Sequence, residues 1–171
     1  IRTSISYMSF TLKIFSFILV LFLGCSSQEE SICIESPDKN ISVKILKQNS
    51  DFIYNVNFKG KTIIQDSKVG LMFKNNFEFP TNHNVKKVEK EFHKNTWDLP
   101  WGEKKVVKDI YNEIIISFIN TNNLEAGKML FRTYDDGIAF RYQMNDNNKN
   151  QDSLIIINEL TEFNLSEDAQ T

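Results

Sequence analysis

Breakers, staples and charge of one sign are all scarce: the 171 residues include only 2 Cys, 3 Pro and 6 Gly. Two thiols allow at most one disulfide, which excludes a disulfide-stapled scaffold. So little Pro and Gly excludes collagen, Pro-rich linker and low-complexity disorder. Lys plus Arg total 20 against 22 Asp plus Glu, a net charge of -2. No basic field exists to hold a nucleic-acid backbone by counterion release, so no nucleic-acid partner is expected. The only histidines, His83 and His93, lack the spacing of a zinc site, and both read as surface residues at strand edges; no metal ligand is assigned. No Gly-rich loop leads into Lys-Ser or Lys-Thr, and there is no Gly-x-Ser-x-Gly elbow or dinucleotide fingerprint. Nucleophilic catalysis and phosphate cradling have no basis in this sequence.

What is present is the material of a core: 41% hydrophobic residues and 14 Phe. That suits one domain, or the front part of something larger.

Residues 1–24 carry Arg2 and Lys13, no acid, and the apolar run Ile14 to Leu23, the layout of a signal peptide. As a helix this run would span roughly 15 Å, half of the ~30 Å hydrocarbon core, too short for a comfortable transmembrane span. Leu23-Gly24-Cys25-Ser26-Ser27 follows at once and resembles the lipobox of a bacterial lipoprotein, with Phe22 where Leu is usual. The resemblance implies acylation of the Cys25 thiol, cleavage before it, and a lipid anchor in the membrane. The alternative is an ordinary secretory signal in which Cys25 is incidental. Gln28-Glu29-Glu30 is similar to an acidic surface-export tag. The expected product is exported and lipid-anchored in the bacterial outer membrane, on its periplasmic or cell-surface face. The expected organisation is signal peptide 1–24, tether 25–35 and a β-rich domain over 36–171.

From Ile41 onward the apolar period is two. Ile41, Val43 and Ile45 alternate with Ser42 and Lys44, and Phe52, Tyr54, Val56 and Phe58 with Asn55 and Asn57, the pattern of strands with one face inward. Lys59-Gly60-Lys61 and Asp135-Asp136-Gly137 predict hairpin turns. Further strands are predicted at 68–74, 85–92, 113–119, 128–134, 137–144 and 154–158, with no long helical period. Short strands separated by turn signals argue for an antiparallel all-β sandwich.

Carboxylates matter because a flanking pair performs sugar hydrolysis. Asp135 and Asp136 read as turn residues. Glu159 and Glu162 point to opposite faces of an extended chain and do not converge, and Glu103 and Glu113 merely bracket a loop and a strand start. The most unusual composition is Trp97-Asp98-Leu99-Pro100-Trp101-Gly102-Glu103. Trp97 and Trp101 either offer faces on which sugar rings stack or fold back to cap the sandwich.

Together, the segments Thr96 to Glu103, Asp109-Ile110-Tyr111-Asn112-Glu113, Phe131 to Tyr142 and Glu159-Leu160-Thr161-Glu162-Phe163 resemble the amino-terminal domain of glycoside hydrolase family 97, bacterial α-glucosidases and α-galactosidases. The resemblance implies an antiparallel β-super-sandwich of the galactose mutarotase-like type, placed before a (β/α)8 barrel that carries the catalysis. With Thr171 following so soon after the Glu-Leu-Thr-Glu-Phe segment, it also implies an incomplete sandwich. No catalytic or calcium-binding residue of the family falls on a position here. The segment itself is expected to be silent and without a cofactor, while the parent is a glycosidase that binds calcium and α-linked oligosaccharides.

Overall fold

The computed structural model describes residues 31–74, 76–102, 105–145 and 153–166. Residues 1–24, where a signal peptide is expected, and Cys25 and Glu103 lie outside them.

Four strands form the first sheet, in the order β1 (Ile32–Glu35), β2 (Ile41–Gln48), β3 (Asp51–Phe58) and β4 (Lys61–Val69). Alternation dictates their faces: Ile41, Val43 and Ile45 of β2, and Phe52, Tyr54 and Val56 of β3, are buried. The β3–β4 turn places both Lys59 (φ 50°) and Gly60 (φ 79°) in the left-handed region, as the favoured two-residue hairpin turn demands. A small sheet joins β5 (Leu71–Phe73), β6 (Glu78–Phe79) and β11 (Ile156–Glu159) in the order β11-β5-β6. The third sheet runs β10-β9-β8-β7, from β7 (Asn84–Asp98), β8 (Val106–Ile119), β9 (Glu125–Thr133) and β10 (Ile138–Met144).

Every pairing in these sheets is antiparallel, and no helix occurs among the described residues. The all-β antiparallel sandwich expected from the period of two is therefore the fold. Its core lies between the inner faces of the two four-stranded sheets. Ile114, Ile116 and Phe118 of β8 and Met129 and Phe131 of β9 meet Val43, Ile45, Phe52 and Tyr54 there. Phe118 sits at the centre, edge-on to Phe52 at 5.1 Å and to Phe79 at 5.3 Å, the favoured aromatic arrangement. The Asp135-Asp136-Gly137 hairpin forms as predicted, with Phe140 opposite Phe131 and Tyr142 opposite Met129.

Two expectations are corrected. His83 is not a surface residue: it is 4% exposed, between the Phe77 and Phe79 rings, with Nδ1 2.7 Å from the Thr81 carbonyl oxygen. The β7–β8 hairpin also runs well beyond the predicted 85–92 and 113–119, pairing in register out to Asp98 and Val106. Because β1 has 4 residues and β7 has 15, this hairpin overhangs the sandwich. Its free edge carries Val85, Val88 and Phe92 in the open.

After β11 the chain returns along β4. Glu162 N donates to Lys68 O, Gln65 N to Asn164 O, and Ser166 N to Ile63 O. Tyr54 Oη donates to the Glu162 carbonyl, and Tyr142 Oη lies 2.9 Å from Thr161 Oγ1. Buried hydroxyls thus anchor this segment across the core.

Candidate functional site

The overhanging hairpin holds two places with chemistry, its tip and its middle. At the tip, Trp97 is the next-to-last residue of β7, opposite Val107, and Trp101 lies in the connection closed by Leu99 N donating to Lys105 O. The turn is helped by Gly102 at φ 120°, a region that β-carbons disfavour. Trp97 is 46% exposed and Trp101 84% exposed. Trp101 is open to solvent and Trp97 about half covered, and among the described residues no ring contact joins the two. They offer separate apolar faces to solvent.

In the middle of the hairpin, register sets a polar row on the face turned away from the core. Glu91 is opposite Glu113, Glu113 opposite Arg132, and His93 opposite Tyr111. Alternation along β8 sends Ile114 and Ile116 inward, so Tyr111 and Glu113 share the other face. Arg132 Nε donates to Glu113 Oε1 at 2.6 Å. The guanidinium also lies over the Tyr111 ring at 4.5 Å, while the His93 imidazole stacks on that ring at 4.7 Å and 19°. The Glu113 carboxylate holds the Arg132 guanidinium even more firmly protonated than usual. Burial raises the Tyr111 hydroxyl's pKa, partly opposed by Arg132. His93 Nε2 faces both acids, 3.2 Å from Glu91 Oε2 and 3.8 Å from Glu113 Oε2. In the sequence His93 reads as an isolated edge residue and Glu113 as a strand start. The one local signal is Glu91-x-His93 at strand spacing, and only the partner strand's register adds Glu113.

Two of the other carboxylates singled out from the sequence, Asp135 and Glu162, hold the frame together. Asp135 Oδ1 accepts from Asp38 N at 2.9 Å, and Glu162 Oε2 from Lys68 N at 3.1 Å and Asn164 Nδ2 at 3.2 Å. Glu159 ends the exposed strand β11. Calcium, implied for the parent, prefers 6–8 oxygen ligands. The one three-ligand grouping among the described residues is Glu91, His93 and Glu113, and a ring nitrogen and an arginine-paired carboxylate do not suit that ion.

Fold and surface define an all-antiparallel β-sandwich domain with one overhanging, aromatic-tipped hairpin. The family model described as Glycosyl-hydrolase 97 N-terminal matches residues 34–171, and the chain belongs to that family. A glycoside hydrolase family 97 enzyme from Pseudoalteromonas sp. strain K8, solved in complex with panose, is 31% identical with a TM-score of 0.71. The alignment covers 80% of this chain and 20% of that one. The same enzyme in complex with acarbose gives the same figures. A beta-arabinopyranosidase at 20% identity and TM-score 0.71, aligned over 81% of this chain and 22% of its own, shares the fold. The chain thus spans about a fifth of the length of the enzymes it matches.

Proposed function

We propose that this is the non-catalytic amino-terminal sandwich of an exported, lipid-anchored glycoside hydrolase acting on α-glucosides or α-galactosides. It braces the parent's catalytic barrel, and its hairpin tip contributes a carbohydrate contact. The observation that carries this reading is the match to a small amino-terminal portion of enzymes of this family, one of them solved with panose and acarbose. Its surface supports the bracing role. Leu154, Ile155, Ile156 and Ile157 are each about half exposed, as are Phe163 and Leu165, an apolar area that favours burial against further protein. Glu113, Asp135 and Glu162 are engaged in holding strands and turns together, which leaves hydrolysis to the parent's barrel.

Reading the gene past the codon for Thr171 tests the proposal. Barrel-coding sequence in frame is expected, and a stop codon in intact genomic sequence with no barrel downstream overturns it. The lipid anchor is tested separately: radiolabelled palmitate is expected to enter the protein and to be lost in Cys25→Ala.

A second reading is a stand-alone carbohydrate-binding surface lipoprotein without hydrolase activity. The exposure of Trp97 and Trp101 favours it, because an indole in solvent is free to stack on a sugar ring.

A further inference from the structure

We propose that Glu91, His93 and Glu113 form a binding site for a zinc-like divalent cation on the outer face of the β7–β8 hairpin. The ligand set is one imidazole nitrogen and two carboxylate oxygens, all within 4.8 Å of one another. Ligands around a tetrahedral ion at ~2.0–2.2 Å stand roughly 3.3–3.6 Å apart, and His93 Nε2 is 3.2 Å and 3.8 Å from its two acids.

A second observation points to a missing partner. His93 Nε2 is buried yet has no hydrogen-bond partner, although Glu91 Oε2 is so close. At 3.2 Å the two atoms are close without forming a hydrogen bond, and a cation between them would satisfy both. Buried polar atoms are rarely left so.

The surroundings fix two of the three donors before any ion arrives. Tyr111 is layered between the His93 ring and the Arg132 guanidinium, which sets the imidazole plane. Arg132 takes Glu113 Oε1 and leaves Oε2 turned toward His93, the kind of outer support that orients metal ligands. Glu91, with its side chain 50% exposed, is the adjustable third ligand and leaves an open side for water. Glu91 supplies an unpaired negative charge and Glu113 an oxygen donor whose charge is shared with Arg132, and the nitrogen donor selects zinc-like metals over calcium or magnesium. This site is separate from the Trp tip and does not rest on the proposed enzymatic role.

The test uses the full chain in detergent, carrying Cys25→Ser and Cys33→Ser so that no thiol competes, titrated with zinc ion alone. Calorimetry is expected to show one zinc per chain, and nitrogen-15 NMR a shift of His93 Nε2. Glu91→Gln is expected to weaken binding ~10-fold or more, the size of loss seen even for outer partners of a metal site. His93→Gln is expected to abolish it, with calcium and magnesium unable to compete. Absence of saturable binding, an unmoved His93 resonance, or unchanged affinity in Glu91→Gln would each overturn the proposal. Because Glu91 occupies a half-exposed edge position, its variant keeps the fold, and its affinity decides the matter even if the His93 variant misfolds.

Discussion

The root and the tip of the β7–β8 hairpin share one continuous ladder but are held by different forces. At the root, β8 is flanked by β7 and β9, and Ile114, Ile116 and Phe118 are sealed from solvent. At the tip only two strands pair, and Trp97, Leu99, Trp101 and Val106 are exposed. Burial of apolar area is the dominant favourable term in folding, whereas an isolated two-stranded ribbon is marginal in water. Root residues therefore set the stability of the domain, and tip residues are free to serve recognition.

The largest break in this contrast should come from Phe118→Ala. It removes a fully buried ring that touches Phe52 and Phe79, and losses of this kind cost about 3–5 kcal/mol. Urea unfolding should show the midpoint falling by that equivalent. A loss under about 1 kcal/mol, within the range of surface changes, would mean the root does not carry the core.

A next effect comes from alkali. Burial, reinforced for Tyr54 by its neighbour Tyr142, pushes the phenols of both up to about 12 from an ordinary 10.0. With the pKa raised in the folded state, the folded chain holds protons that the unfolded chain releases above pH 10. The stabilisation is complete below pH 10 and is lost as pH rises toward about 12. Denaturation midpoints measured across this window should fall, and Tyr142→Phe should flatten the fall. An unchanged slope in that variant would disprove the link between core hydroxyls and the returning segment.

Between root and tip lies Arg132. Arg132→Ala leaves the Glu113 carboxylate buried without its donor, at a cost of roughly 2 kcal/mol for a lost charge-assisted bond. Thermal melts should show the loss, and Arg132→Lys should restore only part of it, since a point charge does not reproduce the planar guanidinium over Tyr111.

Legibility in the sequence follows the same gradient. Ile41, Val43 and Ile45 alternate with polar residues because one face is buried, so the strand and its inner face can be read directly. The distal part of β7, from Lys94 to Asp98, is exposed at every residue. Its residues obey no alternation, and only pairing with β8 makes it a strand. His83 reads as a surface residue because nothing local announces burial; Phe77 and Phe79 enclose it through the fold. The Trp tip stands out by composition alone, since two indoles in one short segment are uncommon enough to be noticed without a structure. The Glu91, His93 and Glu113 grouping does not, because its third member is supplied by register across a hairpin, which sequence spacing does not reveal.

The smallest effect on stability should come from Trp101→Ala. With the residue 84% exposed, little apolar area is buried and the change should stay within about 0.5 kcal/mol. Its effect on recognition should be the reverse. Titration of the full chain with panose or longer malto-oligosaccharides, followed by tryptophan fluorescence, should give a saturable change in the native chain. That change should be weakened by Trp101→Ala and more so by Trp97→Ala with it. A stacked ring contributes about 0.5–1.5 kcal/mol beyond its area, so each loss should read as a ~2- to 12-fold weaker affinity. If the titration is flat, or the double variant binds as well as the native chain, the tip does not serve sugar recognition. Its exposed indoles would then be better assigned to contact with protein, leaving the division between a stabilising root and a free tip intact.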